Sequence, residues 1–187
     1  MRTNILRVMG LAALLLLATV VFAQNKRETF GATAMGGEGP YFGKTFNVTV
    51  IIEDYSTAED QQILLEAFQK AGNQGLVNAL SKMPAKGHIA ITGTLGYDVN
   101  YVRVFQTPTG RKIRLVTDRP ITFGELWTDS RSQDYNLSAL ELDINNADKN
   151  QSGGTLLPAC QFSVNKEKEL SIEAFQSPWK LVDIIVW

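Results

Sequence analysis

A chain of 187 residues with 18 basic and 19 acidic side chains, and a formal net charge of −1, has no cationic excess with which to hold nucleic acid. Its one histidine, His88, excludes catalytic zinc sets that need two, and its one cysteine, Cys160, excludes an internal disulfide. Packing must therefore hold the fold together, and no metal or cofactor set is readable in the chain.

The first stretch predicts export. Arg2 and Arg7 precede an apolar run from Val8 to Val20, and Val21-Phe22-Ala23 gives a small-x-small pattern before Gln24. That is the form of a signal peptide over residues 1–23, and the run is short of the roughly 20 apolar residues a membrane span needs. Residues 24–187 then form a single β-rich domain with no membrane span, in a periplasm or outside the cell.

Along that domain, Glu28 to Ala34 reads as a first strand, followed by a glycine-rich loop, GGEGPYFGK. Thr45 to Asp54 alternates cleanly, with Phe46, Val48, Val50 and Ile52 on one side. Ser56 and Glu59 have capping-box spacing, and Leu64, Ala67, Phe68 and Ala71 recur at helical spacing before Gly72. A second, shorter helix is expected from Gln74 to Lys82, burying Leu76, Val77 and Leu80 ahead of Pro84. The two make a helical insert at about 57–83, lying across an edge or open end of a sheet.

His88 to Thr92 returns to strand, and Gly96 to Pro120 reads as a long hairpin turning at Thr107-Pro108-Thr109-Gly110. With Gly110 as the left-handed residue of a three-residue turn, Phe105 faces Ile113, Arg103 faces Leu115 and Tyr101 faces Thr117. One face then carries Tyr97, Val99, Tyr101, Phe105, Ile113 and Leu115, with Arg103 the single charge among them. An arginine so placed is either a structural ion pair, with Asp118, Glu125 or Asp134 as partner, or an anion-binding group walled by Tyr97 and Tyr101.

Ile121 to Trp127 is ambiguous and Thr128 to Gln133 is a polar loop. Leu137 to Asn145 and Pro158 to Asn165 are strands, the second with Cys160, Phe162 and Val164 inward. After the charged turn at 166–169, Leu170, Ile172 and Ala174 start a returning strand. Trp179 to Trp187, apolar on both sides, should be largely covered. About nine short strands with helices confined to one insert predict an α+β, mostly β fold: an antiparallel sandwich or part-open barrel with a two-helix insert.

Chemical motifs fare poorly. Gly43-Lys44-Thr45 lacks the first glycine of a phosphate loop, since Glu38 stands there, and a strand follows. Asp143, Asn145, Asp148 and Asn150 miss the EF-hand spacing, with Ala147 and Gly154 at ligand positions. A Cys160–His88 dyad has no activating context. Asp98, Asp118, Glu125 and Asp134 permit carboxylate-pair hydrolysis without pointing to it. Asn47, Asn136 and Asn150 each begin an Asn-x-Ser/Thr triplet, which has little weight in a chain read as bacterial.

Gly96-Tyr97, Tyr101-x-Arg103, Arg111 and Leu115-x-Thr117-Asp118-Arg119-Pro120-Ile121-x-Phe123 carry a resemblance, extended by Glu125, Arg131 and Asp134-Tyr135. The chain resembles a family of small exported bacterial proteins with no assigned function. The likeness covers most of Thr45–Leu142, including the LxxALxKMP end of the helical insert at Leu76, Ala79, Leu80, Lys82, Met83 and Pro84, and departs after Asn145. It implies a secreted domain and no activity, and it gathers Tyr97, Tyr101, Arg103, Asp118, Arg119, Arg131 and Asp134 as one candidate ligand site.

The sequence therefore favours a non-enzymatic exported domain that binds a small molecule or envelope component. Its rivals are a carboxylate-dependent hydrolase of an envelope polymer or glycan, and a carrier whose apolar ligand is walled by Tyr97, Tyr101, Phe105 and Trp127.

Overall fold

The structure, a computed structural model, describes residues 27–38, 41–92, 94–121, 135–164, 170–174 and 177–187. The signal-like segment, and Phe123, Glu125, Trp127, Arg131 and Asp134, lie outside the described residues. Among the described residues ten strands form one antiparallel sheet: β1 (Glu28–Met35), β2 (Thr45–Ile52), β3 (Gly87–Ile91), β4 (Tyr97–Val99), β5 (Tyr101–Thr107), β6 (Gly110–Thr117), β7 (Leu137–Asn145), β8 (Gly153–Val164), β9 (Leu170–Ala174) and β10 (Trp179–Val186). Their order is β4-β3-β2-β1-β10-β8-β7-β6-β5, with β9 beside β8.

The two ends of that order are neighbours in sequence, parted by Asn100 alone. The chain leaves β3 along β4 and, one residue later, pairs with β6 as β5, while the Asn100 amide donates to Val116 O at 3.1 Å. Ser56 stitches the seam: its amide donates to Val102 O (2.8 Å) and its hydroxyl accepts from the Val102 amide (2.9 Å). The sheet is a nearly closed barrel, as a curled sheet must be if few edges are to stay unpaired.

The change of partner at Asn100 also shifts the alternation. Val99 faces inward, yet the next inward residue is Val102. The observed pairs are Tyr101 with Val116, Arg103 with Arg114, Phe105 with Lys112 and Thr107 with Gly110. The expected register is thus wrong by one residue: Val102, Val104, Ile113 and Leu115 face the interior, and Tyr101, Arg103 and Phe105 face outward. Gly110 is glycine for a different reason than expected. A Cβ there would sit 2.0 Å from Ile144 O on β7, and only Pro108 and Thr109 make the turn.

The interior is filled by Phe30, Val50, Ile89, Leu115, Leu140 and Leu181, all inaccessible to solvent, with Trp179 against the rings of Tyr41 and Phe46. At one end Arg111 pairs with Glu28, which also accepts from Tyr55 Oη at 2.5 Å. Burial first, then Glu28, push the Tyr55 phenol well above its ordinary range. The C-terminal strand is less covered than expected. β8 pairs only with Trp179–Leu181, and Ile185, Val186 and Trp187 remain 54%, 45% and 68% exposed.

The insert is one helix, α1 (Ala58–Leu80), where the sequence suggested two. Its capping box is Thr57 with Asp60, one residue beyond the expected pair. Ala71 and Gly72 leave helical geometry, Gly72 at φ 56°, a left-handed value that favours glycine. The kink is sharp, for a Cβ on Gly75 would lie 2.0 Å from Ala67 O. The helix covers the outer face of the sheet, with Leu64, Leu76 and Leu80 on Tyr101, Val116, Leu137 and Phe162. Cys160 belongs to this outer layer, not to the barrel interior.

Candidate functional site

The outer face of β5, β6, β7 and β8 changes character along the strands. Beneath α1 it is apolar: Tyr101, Val116, Ala139, Leu157 and Phe162. Farther along the same strands, at positions two and four residues on, it becomes charged: Arg103, Lys112, Arg114, Glu141 and Asp143. Strand alternation puts both sets on one face, and the helix ends its cover at the boundary.

At that boundary two arginines face each other. Arg103 and Arg114 are direct cross-strand partners, and both guanidinium carbons lie over the Phe105 ring, at 5.1 and 5.2 Å from its centroid. Like charges directly opposite cost roughly 0.2–1 kcal/mol, and stacking on an aromatic face returns about as much. Glu141 takes Arg114 Nε at 2.7 Å and lies 3.5 Å from Lys112 Nζ, which is also 3.5 Å from Asp143. Arg114 and Lys112 thus share Glu141, and Lys112 also reaches Asp143, on this face of β6 and β7. Burial raises the Tyr101 hydroxyl's pKa, and the neighbouring Arg103 opposes part of that rise.

Two hollows meet here. A narrow crevice with about 20 Å³ of free room, enough for a water molecule, runs under α1 between Leu64, Leu76, Leu80, Val116 and Phe162, with Arg103 and Arg114 at its rim. A wider hollow of about 340 Å³ lies between Tyr55, Thr57, Gln61, Arg103 and Val104. Gln61, Tyr101 and Arg103 line both. A third hollow, about 430 Å³, opens at the barrel end beside Arg111 and Lys149, where the Arg111 guanidinium is engaged by Glu28.

The expected site assembles only in part. Tyr101 and Arg103 stand together, but Tyr97 packs against the barrel interior, on the opposite side of the sheet. Asp118 and Arg119 pair with each other at 3.0 Å beyond the end of β6. Arg131 and Asp134 lie outside the described residues. Arg114, placed on the opposite face by the expected register, is the partner that sequence reasoning missed. Closing the turn with two residues, Pro108 and Thr109, would have set it across from Arg103.

The other candidates resolve into structure. His88 and Cys160 sit on β3 and β8, with β2, β1 and β10 between them, so no dyad forms. Burial pushes the Cys160 thiol up to about 12, the opposite of activation. His88 Nδ1 is 3.1 Å from Asp98 Oδ1 on the surface. Asn145 Oδ1 accepts from the amides of Ala147 and Asp148, and Asp148 Oδ1 from that of Asn150, which is turn capping. No group of three or more metal-ligating side chains occurs among the described residues, and no helix there is long and apolar enough to cross a membrane.

No protein-family model, curated protein or solved structure matches the chain.

Proposed function

We propose that this chain is an exported, non-enzymatic binding domain of the cell envelope, and that it holds an anionic ligand between Arg103 and Arg114. The observation that carries the reading is the cross-strand arginine pair stacked on Phe105 at the rim of two hollows. Two guanidiniums set side by side present parallel N–H donors, the geometry that grips a carboxylate, sulfate or phosphate. An anion that binds the folded pair and not the unfolded chain stabilises the fold, so binding and stability are coupled.

The signal-like residues 1–23 support export, and a fold that needs no disulfide is compatible with any compartment. The carrier reading has less support, because the barrel interior is filled by its own side chains, and Tyr101 and Phe105 face outward.

Thermal unfolding in sulfate, phosphate or acetate tests the proposal. The anion should raise the melting temperature of the wild type by a few degrees, and Arg103→Met or Arg114→Met should abolish the rise while keeping a cooperative transition. A large loss of stability in both variants, with no anion effect in the wild type, would make the pair a structural brace and end the proposal.

A further inference from the structure

We infer that the partner is an extended acidic peptide, which adds a strand to the free edge of β5 beside Arg103. The added strand rests on the backbone of β5, and its acidic side chain on the anion-binding reading of Arg103. β5 ends the strand order, so one of its edges pairs with β6 and the other meets no strand among the described residues. The two-residue turn makes Thr107 and Gly110 a hydrogen-bonded pair. Alternation then makes Phe105 with Lys112, and Arg103 with Arg114, the next two such pairs. The N–H and C=O groups of Val102, Val104 and Gln106 therefore point to the other edge. Ser56 bears out that direction, since it takes both backbone groups of Val102. No such partner meets Val104 or Gln106 among the described residues.

Ser56 thus fills the first place of a strand that goes no further. Beside it lies the hollow of about 340 Å³, walled by Tyr55, Thr57, Gln61, Arg103 and Val104 and open as it stands. An edge of outward-facing donors and acceptors is completed by another extended chain. A peptide residue opposite Val104 exchanges two hydrogen bonds with it and turns its side chain inward, toward the apolar side of Tyr55 and Val104. Its two neighbours point outward, toward Arg103 and Phe105. Arg103 is the charged side chain among the described residues of the hollow, so an acidic residue fits opposite it. The partner is therefore a segment in which acidic and aliphatic residues alternate.

Selection of a displayed library of random heptapeptides on the immobilised full chain tests this. Enriched peptides should alternate acidic and aliphatic residues. A synthetic copy, at about ten times its Kd, should slow hydrogen exchange of the Val104 and Gln106 amides about tenfold. Gln106→Pro should fold, because proline is tolerated on an edge strand where the missing N–H faces away from the ladder, and it should lose the peptide. The same peptide N-methylated at the amides that face β5 makes the test without altering the protein, and it should not bind. Unchanged affinity in either case would overturn the added strand. Stabilisation by sulfate with no peptide enriched would overturn the inference and leave the anion site standing. Peptides that protect Val104 but bind Arg103→Met equally well, with no sulfate effect on melting, would overturn the acidic position and the anion site together. A dimer in solution that Gln106→Pro splits would make the occupant a second copy of the chain and overturn the peptide.

Discussion

The two faces of the sheet are built on opposite terms. Inside the barrel the packed positions are mostly apolar, with Thr117, Ser138 and the Arg111–Glu28 pair toward the strand ends, and they are fixed by the pairing of the whole sheet. Outside, along β5 to β8, the apolar half is covered by one kinked helix and the other half presents arginines, a lysine and two carboxylates to water. The interior has nothing left to offer a ligand. The outer face has a helical cover, tied on both sides of its kink, and two guanidiniums beside it. Stability and binding are therefore assigned to different faces of the same strands, and substitutions should separate them.

The largest effect should come from inside. Leu115→Ala, at a fully buried site, is expected to cost about 2–5 kcal/mol by losing its transfer energy and leaving a cavity. Chemical denaturation should show this as a shifted midpoint with an unchanged slope. If it cost less than 1 kcal/mol, the interior would not be the close-packed face described above.

On the outer face, Asn73→Ala should cost about 2 kcal/mol, since it strips the Phe162 peptide of both partners in a covered position. Hydrogen exchange should localise the loss: the Phe162 amide and residues 73–80 should exchange faster while barrel amides keep their protection. Uniform acceleration across the barrel would mean that the helix and the sheet open together.

A pH series sharpens the contrast further. The native thiol of Cys160 holds its proton up to about pH 12, whereas the unfolded thiol releases it near 9. The folded pKa is the higher one, so the contribution is intact below about 9 and is lost as pH rises toward 12, by about 1.4 kcal/mol per pH unit. Cys160→Ala should remove that slope and nothing else from the alkaline stability profile. Identical profiles for the two proteins would show that the helix does not keep water from Cys160.

The smallest effect should be Phe105→Leu, which removes the ring beneath both guanidiniums and costs about 1 kcal/mol or less. Anion affinity should fall with it, because the ring orients the pair. Unchanged anion affinity would separate the ring from the site.

Periodicity and caps were legible without tertiary information. The alternation in β2 and β7, the helix start near Thr57, the break at Gly72 and the strand at the C-terminus all follow from local sterics and from residues a few positions apart. The hairpin register was not, and the candidate site went with it. Tyr101 and Phe105 on one side of β5 are as apolar as Val102 and Val104 on the other, so the pattern does not say which side is inside. Asn100, where the strand exchanges β3 for β6, breaks the alternation that would have carried the answer over from Val99. The pairing of Arg103 with Arg114, the glycine at 110 and the position of α1 on the outer face all follow from how the sheet closes on itself. Closure joins residues far apart in the chain, and no local pattern encodes which of two apolar faces it turns inward.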